Sequence, residues 1–104
     1  MTTPLRHAAS GRLRLAVTMT RRLPEQVEAR MAELFDCTFR PDDSKMTRDE
    51  LAAAMRSSDV IVPTLTDRID ANLLAQAGER LKLIANYGAG VDHIDVGSAR
   101  QRGV

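Results

Sequence analysis

Residues 81–95 read Leu81-Lys-Leu-Ile-Ala-Asn-Tyr-Gly-Ala-Gly-Val-Asp-His-Ile-Asp95. The apolar run Leu81 to Ala85 has the length and composition of a strand covered on both faces, as strands of parallel sheets are. Gly88 and Gly90 break the run, and Asp95 then offers a side-chain oxygen to the free amides of a following helix. A strand, a glycine loop and a capped helix make one unit of a parallel α/β sheet.

The same unit recurs upstream. Apolar runs begin near Leu13, Asp36, Asp59 and Lys82, about 23 residues apart, with a helical pattern in each interval. The first strand is expected over Leu13 to Met19, followed by Pro24 in the first turn of a helix, where a missing N–H leaves no partner wanting. Val27, Met31, Leu34 and Phe35 fall on one face of that helix. A short strand from Cys37 to Phe39 is the least apolar of the set and reads as an outer strand, and Pro41 to Ser44 reads as a loop. Thr47 and Glu50 have the spacing of a capping box, with Leu51, Ala54 and Met55 as the apolar face and Ser57 and Ser58 as the end. The strand Asp59 to Val62 leads into the loop Pro63 to Thr66. Asp70 caps a helix carrying Leu73, Leu74 and Ala77, which Gly78 is expected to end in a left-handed conformation.

Four strands joined by right-handed helical crossovers predict an open parallel sheet of flavodoxin-like order 2-1-3-4-5. Asp95 opens a last short helix running to Gly103, and Val104 reads as the first residue of a fifth strand. The sheet is thus expected to be truncated before or at that strand, with residues 1–12 as a flexible tail.

Composition narrows the function classes. The chain has 104 residues, 43% hydrophobic and 28% charged, so one soluble domain is expected; with aromatics at 3%, its core must come from aliphatic side chains and Met. A net charge of +1 gives no field that would draw the chain to nucleic acid or an anionic membrane. The apolar runs fall far short of the roughly 20 residues of a membrane span. Cys37 is the only cysteine, which excludes an internal disulfide and a CxxC metal pair and suits a small core residue in a cytoplasmic protein. The arginines before Glu25 faintly resemble a transit peptide, but the first strand leaves only a short tail ahead of it.

In open parallel sheets ligands bind beyond the carboxyl ends of the strands, here in the loops after Val17, Val62 and Ala85. The first, Thr18 to Arg22, lacks the glycine a flavin-phosphate cradle needs. A phosphate-accepting domain needs an acidic cluster after the first strand and an aspartate ending the third, where this sequence has Met19 and Pro63. The third loop approaches a dinucleotide fingerprint, but His93 stands where a third small residue belongs. Two readings of Gly88-Ala89-Gly90 remain: a plain turn, or a nest whose backbone amides meet a small anion such as a carboxylate. Asp92 and Asp95 suit turn and capping duty, His93 reads as solvated or packed on the turn, and Arg68 and Arg100 read as solvated. No metal site is expected.

The stretch Leu81 to Asp95 resembles the substrate-loop opening of the D-isomer-specific 2-hydroxyacid dehydrogenases, particularly glyoxylate and hydroxypyruvate reductases. Pro63-Thr-Leu-Thr-Asp-Arg-Ile-Asp70 resembles the loop and helix start after that family's third strand, and the order of elements from Leu13 to Val104 agrees. The resemblance implies that residues 13–104 are part of a substrate-binding domain, and that NADH or NADPH is held by a Rossmann domain this chain does not contain. It implies that Leu65 flanks a small 2-keto or 2-hydroxy acid, that the amides of Ala89 and Gly90 hold its carboxylate, and that Gly88 and Asn86 shape the loop. The family's catalytic arginine, histidine and glutamate lie downstream of Val104 in its pattern. No catalytic or cofactor-binding residue is therefore expected here, and the chain alone should be inactive; a full-length relative would be a homodimer. The alternative from the residues themselves is a stand-alone flavodoxin-like module that binds a small carboxylate as a sensor, or another protein along a sheet edge.

Overall fold

The computed structural model describes residues 14–104. The expected tail over 1–12, and Leu13 at the expected start of the first strand, lie outside the described residues. The elements alternate as β1 (Ala16–Met19), α1 (Glu25–Leu34), β2 (Asp36–Thr38), α2 (Arg48–Ser57), β3 (Val60–Val62), α3 (Ala71–Ala75), β4 (Leu83–Ile84) and α4 (Val96–Gln101). All pairings are parallel, in the order β2-β1-β3-β4, which is the first four strands of the expected arrangement.

Strand side chains alternate between two cores, as the two-residue period requires. Val17, Met19, Val60 and Val62 pack with Leu23 and with Val27 and Met31 of α1. Ile61 joins Leu51 and Met55 of α2 and Leu73 and Leu74 of α3 in the second core. Between them Thr18 Oγ1 lies 2.6 Å from Ser58 Oγ, so two buried hydroxyls satisfy each other. Leu34, expected on the buried face of α1, is 47% exposed. The helix ends there, the chain turns extended at Phe35, and Phe35 takes the inward place. Glu28 is buried on α1 instead, held by Arg22 Nε at 2.9 Å and the Leu23 amide at 3.0 Å. The Arg22 guanidinium, then that amide, keep its carboxyl below the usual range.

The helix starts follow the sequence closely. Thr47 and Glu50 form both halves of the capping box, and Asp70 and Asp95 each accept the amide three residues on. Gly78 departs from expectation. No positive φ occurs there, and α3 ends earlier, at Gln76. A Cβ on Gly78 would stand 2.9 Å from the Arg56 carbonyl oxygen, so glycine serves close approach to the end of α2. The left-handed terminator is Gly103, with φ of 78°; its amide donates to Arg100 and that of Val104 to Ala99, so Val104 here serves the end of α4. The strand expected from Leu81 is only two residues long, although Ala85 and Tyr87 still donate to Ile61 and Pro63 beyond it. No helix among the described residues is long and apolar enough to cross a membrane.

Candidate functional site

The carboxyl ends of β1, β3 and β4 bring two loops together. The first loop expected, after Val17, begins later: Thr18 and Met19 are still strand, paired with Ile61 and Val62. Thr20 follows, fully buried, with its amide on the Val62 carbonyl at 3.2 Å and its hydroxyl on Asp67 Oδ2. The same carboxylate oxygen accepts the Thr64 amide at 2.9 Å, and the Asp67 amide donates to the Thr64 carbonyl at 3.0 Å. Asp67 thereby closes the turn 64–67 from within, with 1% of its surface exposed and Oδ1 left without a partner. Leu65, on this turn, is 73% exposed. Arg21 links the turn to the loop after β2, donating to Thr66 Oγ1 at 3.2 Å and Asp43 Oδ1 at 3.0 Å. That pairing raises the Arg21 pKa and lowers that of Asp43.

The second loop follows β4 and is tied to the first by the Tyr87 amide on the Pro63 carbonyl, 2.8 Å. Asn86 Nδ2 donates to the Gly90 carbonyl at 2.7 Å, and His93 Nε2 lies 2.7 Å from Asn86 Oδ1. The Ile69 amide reaches the His93 carbonyl and the Asp95 amide reaches Ile69, a parallel bridge that anchors the far end of the loop. Gly88, Ala89 and Gly90 are exposed, and their amides donate to no acceptor among the described residues. Neither glycine has a positive φ; a Cβ on Gly88 would meet only Asn86 Nδ2 at 3.6 Å, and one on Gly90 nothing within 4 Å. The turn itself therefore does not require glycine. What the missing side chains leave open is approach to three adjacent N–H groups.

These residues do not make a dinucleotide cradle. Helix α4 starts at Val96, well after Gly90, with Asp95 as its cap, and the His93 ring occupies the place of the third small residue. The expected capping duty of Asp95 is observed, with Ser98 N at 3.0 Å. Asp70 adds an ion pair with Arg48 at 2.6 Å to its cap; the Leu73 amide, then Arg48, hold its carboxyl low. Arg68 is 82% exposed and lies 3.9 Å from Asp70. No group of three or more possible metal ligands occurs among the described residues. A cleft of about 450 Å³ borders Asp67 and Arg68, and a hollow of about 270 Å³ lies beside Asn86 and Val91. Leu65 and the glycines line neither, so their surface is open.

The sequence points to Leu65 and the glycine loop, but gives no signal for the contacts of Asp67 or for the joining of Asn86 to His93. Asp67 stands in the quoted loop without a signal of its own, because Thr20, its hydroxyl partner, is 47 positions away.

Residues 17–104 match the family model described as D-isomer specific 2-hydroxyacid dehydrogenase, catalytic domain. A glyoxylate reductase of Thermococcus kodakarensis is 35% identical over 92 residues, which cover 88% of this chain and 27% of that protein. A glycerate dehydrogenase of Hyphomicrobium methylovorum is 33% identical over 88 residues, 85% of this chain and 27% of the relative. Among solved structures, one described as a D-isomer specific 2-hydroxyacid dehydrogenase, NAD-binding, from Polaromonas sp. JS6 66 superposes with a TM-score of 0.81 at 29% identity, covering 86% of this chain and 28% of the other. The chain thus spans about a quarter of the length of the relatives it matches.

Proposed function

This chain belongs to the D-isomer specific 2-hydroxyacid dehydrogenase family, within its catalytic domain, and on that premise we propose that residues 13–104 supply the carboxylate-binding wall of an enzyme that reduces a small 2-keto acid such as glyoxylate or hydroxypyruvate. The observation that carries the reading is the run of amides at Gly88, Ala89 and Gly90 with no acceptor among the described residues, tied to the Leu65 turn through Tyr87 and Pro63. Two N–H groups from adjacent peptides suit the two oxygens of a carboxylate, and hydrogen bonds to an ionised acceptor are the stronger kind. In this reading Ala89 and Gly90 donate to the carboxylate, Gly88 keeps the approach clear, and the exposed Leu65 covers the apolar side of the substrate.

The hydride of such an enzyme comes from NADH or NADPH, and the relative from Polaromonas is described as NAD-binding. The loops of this chain are not what holds the nicotinamide cofactor. None of the described residues is proposed to relay the proton to the C2 oxygen, and His93 already has its Nε2 occupied by Asn86.

Two measurements on the 104-residue chain test this. Oxalate, an unreactive analogue, should shift the amide NMR signals of Ala89 and Gly90 in a saturable way, and NADH with glyoxylate should show no turnover. Silence of those amides, or steady oxidation of NADH, would each overturn the assignment. A second reading, an interaction module, draws on the outer edge of β4, which pairs with no strand among the described residues, and on Leu83, 51% exposed. Sedimentation as a monomer at all concentrations would remove it.

A further inference from the structure

We propose that Asn86 and His93 form a clasp that positions the glycine-loop amides for the carboxylate, making both positioning residues; the proposal rests on the carboxylate reading above. The orientation of the Asn86 amide follows from its neighbours. Its Nδ2 faces the Gly90 carbonyl at 2.7 Å, and the flipped amide would set two oxygens at that distance. Oδ1 must then face His93 Nε2, so that ring nitrogen carries a proton and donates to it.

The clasp closes on an anchored residue. The His93 carbonyl accepts the Ile69 amide at 2.8 Å, and Ile94 bridges Ile69, so the imidazole is carried by backbone joined to the start of α3. Gly90 has no such support of its own: a Cβ there would meet nothing within 4 Å, and its amide has no acceptor among the described residues. Glycine has the widest backbone freedom of any residue, so a loop with two of them loses affinity to ordering unless something restrains it beforehand. Asn86 grips Gly90 through its carbonyl and thereby leaves the N–H groups free for a ligand.

The test uses the ¹⁵N-labelled 104-residue chain, with His93→Leu to open the clasp, His93→Gln to keep a donor near the Nε2 position, and Asn86→Ala to open it from the other side. Without ligand, backbone order parameters at Gly88 to Gly90 should fall towards the flexible range, below about 0.6, in His93→Leu and Asn86→Ala and recover in His93→Gln. Oxalate affinity should weaken about five- to tenfold in the two opened variants, the scale of one net hydrogen bond, and return in His93→Gln. Unchanged amide signals outside residues 86–94 certify that each variant is folded; should one variant unfold, the other opens the same clasp. A native chain that responds to oxalate while the opened variants bind equally well, or keep their order parameters, overturns the clasp alone. A native chain with no response to oxalate overturns the carboxylate reading and the role of the clasp with it.

Discussion

Asp67 carries an uncommon load for one side chain. Buried to 1% exposure, it accepts the Thr20 hydroxyl and the Thr64 amide on one oxygen, and so joins the end of β1 to the turn that presents Leu65. Removing it strands the buried Thr20 hydroxyl, at about 1–3 kcal/mol, and the half-buried Thr64 amide, at less, against which stands the relief of no longer burying a carboxylate. We therefore expect Asp67→Ala to lower stability by about 2–4 kcal/mol in urea unfolding, and Asp67→Asn, which keeps an acceptor oxygen, to lose clearly less. An alanine variant as stable as the native chain would mean that burying the charge costs as much as its hydrogen bonds return. At this scale the sequence was read unevenly. Gly88 and Gly90 stand out in the sequence because a loop position without side chains is a local property, whereas Leu65 is singled out only by the family resemblance of its loop. Asp67 was mute because its hydroxyl partner is brought to it only by the pairing of β1 with β3.

Local chemistry also explains which element boundaries were legible. Thr47, Asp70 and Asp95 were identified as caps because a cap and the amide it accepts lie three residues apart, and each makes that bond. Glycine is ambiguous by comparison, since a left-handed turn and a close backbone approach both select it. Gly103 is the first kind and Gly78 the second, and only the second depends on a residue distant in sequence, Arg56. The two should respond differently to alanine. Gly103→Ala forces a side chain into positive φ in open space and should cost about 1 kcal/mol. Gly78→Ala drives a Cβ against backbone that cannot rotate away, and about 1–3 kcal/mol is expected, with α2 and α3 moving apart. Thermal melts of both variants check the order; a milder effect at Gly78 would show that the chain there yields easily. β4 is shorter than expected for a related reason, because Leu81 at the start of the apolar run serves the core and only Leu83 and Ile84 stand in register with β3.

The strand order was predictable because it follows from connection rules that hold across parallel sheets, whereas the unequal coverage of the sheet was not. β1 and β3 are each paired on both sides; β1 fills one core through Val17 and Met19, and β3 reaches both, the first through Val60 and Val62 and the second through Ile61. β2 and β4 have one neighbour each, and exposure at Thr38 and at Leu83 follows. Local opening is cheapest where fewest apolar contacts and ladder bonds must be broken. Hydrogen exchange should therefore be slowest for ladder amides shared by β1 and β3, intermediate for Lys82 and Ala85 on the β3 side of β4, and fastest at Gly88 to Gly90, whose amides have no acceptor among the described residues. The ranking bears on function, since a wall that binds a ligand with open amides needs a firm base directly beneath it. Pro63, which holds Tyr87, directly follows β3, so the protected centre of the sheet and the anchor of the loop are continuous. Equal protection in all four strands would mean that the sheet opens only as a whole, and the stiffness of the loop would then have to come from the Asn86 and His93 contacts alone.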